Sequence, residues 1–231
     1  MTTVVITGAN RGLGLALARH YISKGATVIG GCRTPAAATD LTEVGAEVHQ
    51  LDTGSGQSID AFGAAVGDRS VDVLYNNAGI DARAVGAGED ARGALDLTEA
   101  QFRSVMEVNV LGPMLMVQAL ADNLTDAGGT VVNVSSQVGS IEVAHRIGSD
   151  IAYTTSKAAL NMLTLKQSQA LQPKGITVIA LHPGWLRSDM GGSRADLDPA
   201  IAAESIASVV EGLSLEHTGS FLRWDGSTHP W

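Results

Sequence analysis

Val4-Val5-Ile6-Thr7-Gly8-Ala9-Asn10-Arg11-Gly12-Leu13-Gly14, near the start of the chain, joins an apolar run to a glycine-rich turn and the beginning of an amphipathic stretch. Residues 4–7 read as a strand covered on both faces, and 13–24 as a helix. Glycines between them permit a tight turn and let a pyrophosphate approach the backbone. The helix N-terminus would offer that anion unpaired N–H groups and the positive end of its dipole. The spacing is Gly-x-x-x-Gly-x-Gly rather than Gly-x-Gly-x-x-Gly. By itself it is equally a plain strand-to-helix turn.

Working outward, the same alternation recurs. Strand-like runs lie at 27–30, 47–51, 71–75, 129–135, 176–181 and 220–222, and helical periodicity at 59–66, 99–124, 151–172 and 199–212. An Ala-rich helix is expected over 35–44. Alternating β and α units favour a parallel sheet with helices on both faces. The expected fold is therefore α/β, a single Rossmann-type doubly wound domain over residues 1–231. Stretches 80–95, 137–150 and 182–198 are expected as loops at the edge where open α/β sheets bind ligands.

Composition narrows the classes. The 231 residues are 45% hydrophobic and 17% charged, as in a packed globular chain. A formal charge of -9 argues against a nucleic-acid partner and against docking to anionic membranes. One cysteine, Cys32, excludes an internal disulfide and a Cys-based zinc cluster. The six histidines show no metal-ligand spacing, and the acids between 81 and 96 lack a calcium-loop pattern, so no metal is expected. No leader precedes Val4 and no apolar stretch reaches about 20 residues, so a cytoplasmic protein is expected. Neither a Gly-x-Ser-x-Gly elbow nor a Walker loop occurs.

Four polar positions carry chemistry. Tyr153 and Lys157 stand four apart on a predicted helix and share a face. An ammonium beside a phenol is expected to lower the phenol from its ordinary pKa of about 10, toward proton transfer near neutral pH. Ser136 ends a strand at the ligand edge, followed by Gly139. Asn109 interrupts the predicted 99–124 helix, where Asn is a poor interior residue that needs a partner. Each has a bland alternative: a packed Tyr beside a solvated Lys, a turn serine, a satisfied buried amide.

Taken together, the chain resembles the short-chain dehydrogenase/reductase family over essentially its whole length. The resemblance rests on Thr7-Gly8 to Gly14, Asn76-Asn77-Ala78-Gly79, Asn109, Ser136 with Gly139, Tyr153-Thr154-Thr155-Ser156-Lys157 and Pro183-Gly184, in family order. The tail from Asp225-Gly226 to His229-Pro230-Trp231 is similar to the small carbonyl-reductase or C-factor-like branch. The Ser136-to-Tyr153 interval is longer than the commonest family pattern, which leaves the 140–150 conformation open.

The resemblance implies that Tyr153 protonates a carbonyl oxygen while a nicotinamide delivers hydride to its carbon, with Ser136 bonding the same oxygen. Lys157 would hold the nicotinamide ribose, and Asn109 a water linking Lys157 to solvent. Gly8, Asn10, Arg11, Gly12, Leu13 and Gly14 would cradle the pyrophosphate. Asp52 would meet the adenine with Thr53 beside it, the segment Asn76, Asn77, Ala78 and Gly79 would line the adenosine side, and Pro183, Gly184, Leu186 and Ser188 would border the carboxamide. His145 and Trp185 lie on loops that border the pocket. The second strand runs from Thr27 to Arg33 with no acid until Asp40, where NAD-selective folds often place a carboxylate. Arg33, with Arg11 in the turn, suits a phosphate instead, so NADP (NADPH) is the expected cofactor. The expected activity is NADPH-dependent reduction of a ketone or aldehyde by a homodimer or homotetramer. The alternatives are an NAD-dependent alcohol dehydrogenase of the same fold and a catalytically silent dinucleotide sensor.

Overall fold

The computed structural model describes residues 2–88, 90–145 and 150–231. Every Val/Ile-rich run forms a strand: β1 Thr3–Thr7, β2 Thr27–Cys32, β3 Glu47–Gln50, β4 Val73–Asn76, β5 Thr130–Val134, β6 Thr177–His182 and β7 Phe221–Arg223. They make one sheet in the order β3-β2-β1-β4-β5-β6-β7, with each neighbouring pair parallel. Parallel neighbours require long crossovers. These contain α1 Gly12–Ser23, α2 Thr39–Glu43, α3 Gly56–Val66, α4 Glu99–Met106, α5 Gly112–Ala119, α6 Ala121–Ala127, α7 Ile141–Ala144, α8 Ile151–Leu171 and α9 Pro199–Glu211.

Side chains alternate across the sheet and fill two cores. Val4 and Ile6 of β1 pack with α1 and α9, whereas Val5 between them packs with α3, α5 and α6. Burial on both faces explains why the strands read as continuous apolar runs. β2 carries Gly30-Gly31 because a Cβ at Gly31 would overlap Leu51 Cδ2 and stand 3.1 Å from the Phe62 ring. Strand order reverses between β1 and β4, which opens a crevice at the carboxyl edge.

Two expectations are corrected. The predicted helix over 99–124 runs from α4 through a π-helical turn, Glu107–Leu111, into α5 and then bends by 62° before α6. Gly112 and Pro113 begin α5, and Gly112 must stay small because a Cβ there would lie 3.0 Å from Thr53 Cβ. The predicted 35–44 helix is instead a 3-10 turn, Pro35–Ala37, followed by the five-residue α2. No single helix among the described residues is long and apolar enough to cross a membrane.

Beneath α1, two phenols meet hydroxyl to hydroxyl: Tyr21 and Tyr75, at 2.7 Å. Tyr75 is fully buried, and burial pushes Tyr21 up to about 12 and Tyr75 well above its ordinary value. Tyr75→Phe therefore strands a buried hydroxyl on Tyr21 and should cost about 1–3 kcal/mol in urea unfolding. Changing both tyrosines to Phe should cost less than the two single changes summed. Additive losses would show that the two hydroxyls are not coupled.

Candidate active site

The glycine turn is stitched to the end of β4. Thr7 Oγ1 donates to the Tyr75 carbonyl and accepts from the backbone N–H groups of Asn77 at 3.0 Å and Ala78 at 2.9 Å. Asn77 Nδ2 donates back to the carbonyls of Thr7 and Gly8. Gly8 has φ +65°, and a Cβ on it would stand 3.0 Å from Ala78 Cα, so only glycine fits this approach. Arg11 precedes α1 without capping it through its side chain, and the first turn of the helix carries no acid. The uncapped N–H groups lie at the head of a cleft of about 1170 Å³, larger than the usual ~300–1,000 Å³ of ligand pockets. Its volume and lining fit a dinucleotide.

That cleft is lined by Gly8, Asn10, Arg11, Gly12 and Leu13, by Arg33, Asp52 and Thr53, by Ala78 and Gly79, and by Tyr153, Lys157, Pro183, Leu186 and Ser188. Other expected site residues sit behind it. Asn76 is buried within the sheet and donates to Asn133 Oδ1 at 2.8 Å; its neighbour Asn77 is the one that faces the cleft. Gly14 gives α1 room against Asn77 Nδ2 and Ala9, and Gly184 (φ +85°) gives room to Leu197 and Trp224. Arg19, His20 and Thr34 also line the cleft, unexpected from the sequence, whereas Asn77 is expected within the 76–79 segment. Arg19 and His20 fall on the third turn of α1, a position that only the folded α1–β2 geometry brings to the ligand edge.

At the other end, α8 carries the reactive side chains over the end of β5. Lys157 is 4% exposed, and its Nζ donates to the Val134 carbonyl at 2.8 Å. The turn after Ser136 packs directly on the helix, where a Cβ at Gly139 would stand 2.7 Å from the Lys157 carbonyl carbon. Asn161 Nδ2 donates to the Gly139 carbonyl, and Ser135 Oγ to Asn161 Oδ1 at 2.6 Å. This packing brings the Ser136 hydroxyl near enough to the Tyr153 phenol to bear on its proton, although Ser136 itself does not line the cleft. Lys157 Nζ lies 5.6 Å from the centre of the same ring.

Asn109 lies within the π turn, a helical defect frequent at functional sites. Its side chain accepts from the Ile80 N–H at 2.9 Å and donates to the Ile80 carbonyl at 2.8 Å and to Ser156 Oγ at 2.9 Å. Ser156 Oγ in turn donates to the Tyr153 carbonyl. The amide thus ties the loop after β4 to α8 and does not itself line the cleft. A Cβ on Gly79 would lie 3.4 Å from both Asn109 Oδ1 and Lys157 Nζ, so glycine keeps the space between them open.

The electrostatics correct the sequence reading. Tyr153 is not lowered by Lys157; it is pushed up to about 12. Burial is the main cause, the neighbouring Ser136 hydroxyl opposes it, and the carboxylates of Asp81 and Asp150 add to it. Burial also brings Lys157 down to about 8. Lys157, buried, and Tyr153, half-buried on the cleft wall, are each held toward the neutral form.

His182 is the last residue of β6, just before Pro183. It is buried against His229, with ring centres 5.7 Å apart. Burial, then His229 and Arg223, hold it down to about 4. The unfolded chain, with an ordinary His near 6.5, gains a proton first as pH falls. Stability should be full above about pH 6.5 and should fall by up to about 3 kcal/mol toward pH 4. In urea titrations across this range, His182→Leu should flatten that slope; an unchanged slope would place the acid sensitivity elsewhere.

A glycine turn at the strand-order reversal, facing Tyr153 and Lys157 across one cleft with Ser136 beside them, defines a dinucleotide-binding oxidoreductase. The chain belongs to the short chain dehydrogenase family, whose model matches residues 2–198. Members of this family bind a nicotinamide dinucleotide. The chain is 36% identical to C-signal of Myxococcus xanthus, over 74% of this chain and 99% of that protein. It is 30% identical to 1-hydroxy-2-glutathionyl-2-methyl-3-butene dehydrogenase of Rhodococcus sp. strain AD45, over all of both chains. The NADPH-bound carbonyl reductase from chicken fatty liver superposes with a TM-score of 0.90 at 31% identity, over 100% of this chain and 99% of that one. Carbonyl reductase Sniffer of D. melanogaster gives 0.88 at 29% identity, over all of both chains.

Proposed function

We propose that the protein reduces a ketone or aldehyde to an alcohol with NADPH. The observation that carries this reading is the placing of Tyr153 and buried Lys157 together on the wall of the dinucleotide cleft, with Lys157 Nζ 5.6 Å from the centre of the phenol ring and Ser136 beside it. When bound, the nicotinamide supplies a hydride to the carbonyl carbon. Ser136 and Tyr153 both offer hydroxyls to the carbonyl oxygen, stabilising the charge that develops there. Tyr153 then gives its proton to that oxygen. A phenol held near 12 remains protonated at neutral pH, which is the form a general acid needs. Lys157 orients the ribose hydroxyls, and the space beside Gly79, between Asn109 and Lys157, suits a water through which a proton returns from solvent.

The preference for NADPH rests on the far end of the cleft. No carboxylate closes β2; Arg33 and Thr34 follow Cys32, and Arg11, Arg19 and His20 border the same groove. Such a cluster suits a 2′-phosphate. The carbonyl reductase from chicken fatty liver is described with NADPH bound, and a Burkholderia multivorans relative in fold with NADP. Arg33→Ala should lower kcat/KM for NADPH about 10- to 100-fold and leave that for NADH nearly unchanged. An equal loss with both cofactors would remove the argument from Arg33.

The activity is tested with a panel of ketones and aldehydes, following NADPH absorbance. Tyr153→Phe should lower kcat on the order of 10²- to 10⁴-fold while NADPH affinity stays within a few-fold of the parent. A phenylalanine variant as fast as the parent would dismiss Tyr153 as the acid. NADPH binding with no turnover on any carbonyl would favour the silent sensor.

A further inference from the structure

Asp150 caps α8 with an unusual reach. One carboxylate oxygen, Oδ1, accepts from the N–H of Tyr153 at 2.9 Å, and the other, Oδ2, from the N–H of Ala82 at 2.9 Å. A single side chain thus binds the backbone of the reactive tyrosine and the loop that follows β4. The adjacent Ile151 N–H reinforces the link by donating to the Arg92 carbonyl. One residue before Ala82, Asp81 caps its own 3-10 turn through Arg83 N and Ala84 N and pairs with the Arg83 guanidinium. Asp81 and Asp150 are 8% and 7% exposed, so two carboxylates stand near the phenol with little water to screen them.

A neutral serine or threonine would cap α8 as well as an aspartate does. What the aspartate adds is charge, beside the one group whose proton the chemistry moves. We propose that Asp150 is a positioning residue which seats Tyr153 against the 81–92 loop and whose charge, with that of Asp81, opposes formation of the phenolate. The site is thereby built to give a proton to a carbonyl oxygen rather than to take one from an alcohol. This rests on the reading of Tyr153 as the acid. Other charged or titratable groups on the surrounding elements are Lys157 on α8, Arg83 and Arg92 after β4, and Glu142 and His145 after β5. Asp189, paired with Arg11, stands across the cleft.

The test is a titration of tyrosinate absorbance on the whole protein, which needs no substrate. The chain has three tyrosines, and burial holds Tyr21 and Tyr75 high as well. Subtracting the Tyr153→Phe curve isolates the remaining phenol. Asp150→Asn should lower its midpoint by about one pH unit, a tenfold rise in phenolate at a given pH. Asp150→Ser, which keeps a neutral cap, should do the same. Asp81→Asn, which leaves the α8 cap intact, should shift it in the same direction and supplies the reading if the capped helix does not tolerate the first two changes. In the active enzyme, the rise of alcohol oxidation with pH should move down by the same interval in each variant. Midpoints equal to the parent's in the folded variants would overturn the proposal. A parent without turnover would instead defeat the reductase reading, and the tyrosinate titration would still decide the role of Asp150.

Discussion

An ammonium group taken out of water must be met by oxygen, and the placing of Lys157 governs much of this molecule. Its Nζ lies against the Val134 carbonyl at the last residue of β5, which fixes where α8 crosses the sheet. Once the helix is there, the turn after Ser136 has no room for a side chain against the Lys157 backbone, and Gly139 answers that constraint. Ser136 is carried toward Tyr153 by the same contact. A buried charge with one partner removed is costly, on the order of 3–5 kcal/mol. Here the lysine also titrates near 8, so burial has already weakened its hold on the proton.

The chain is acidic as a whole, yet arginines gather along one end of the dinucleotide cleft, and two buried carboxylates outside its wall bear on the tyrosine at the other. Arg33, Arg19 and Arg11 border the portion nearest β2, while Asp81 and Asp150 stand near Tyr153. A net charge of -9 describes neither end. Local sign, set by which loops the sheet order brings together, decides what each part of the groove can hold.

Much of the fold could be read from the sequence because its signals were local. β1 and β6 are continuous Val/Ile runs since helices cover both sheet faces, and the glycine turn advertises itself between β1 and α1. The Tyr153 and Lys157 spacing likewise fixed a shared face. What spacing could not show was burial: the phenol's environment depends on Asp81, far away in sequence, and on how little water reaches it. Asn76 and Asn77 are adjacent and chemically identical, and only the end of β4 decides which one turns inward. Arg19 and His20 look like surface residues on α1 until β2 is laid beside that helix.

The π turn at Glu107–Leu111 explains why α4 and α5 looked like one helix. Each residue of an α-helix rotates the side-chain direction by about 100°, and a π turn accommodates an extra residue without breaking the rod. The two halves are consequently out of phase, although the chain continues in much the same direction. α4 can lean on α8 and the 82–85 turn while α5 presents Met116 and Val117 to the core beneath the sheet. One inserted residue thus works as a swivel, letting a single rod serve two neighbours that a uniform helix could satisfy only one at a time.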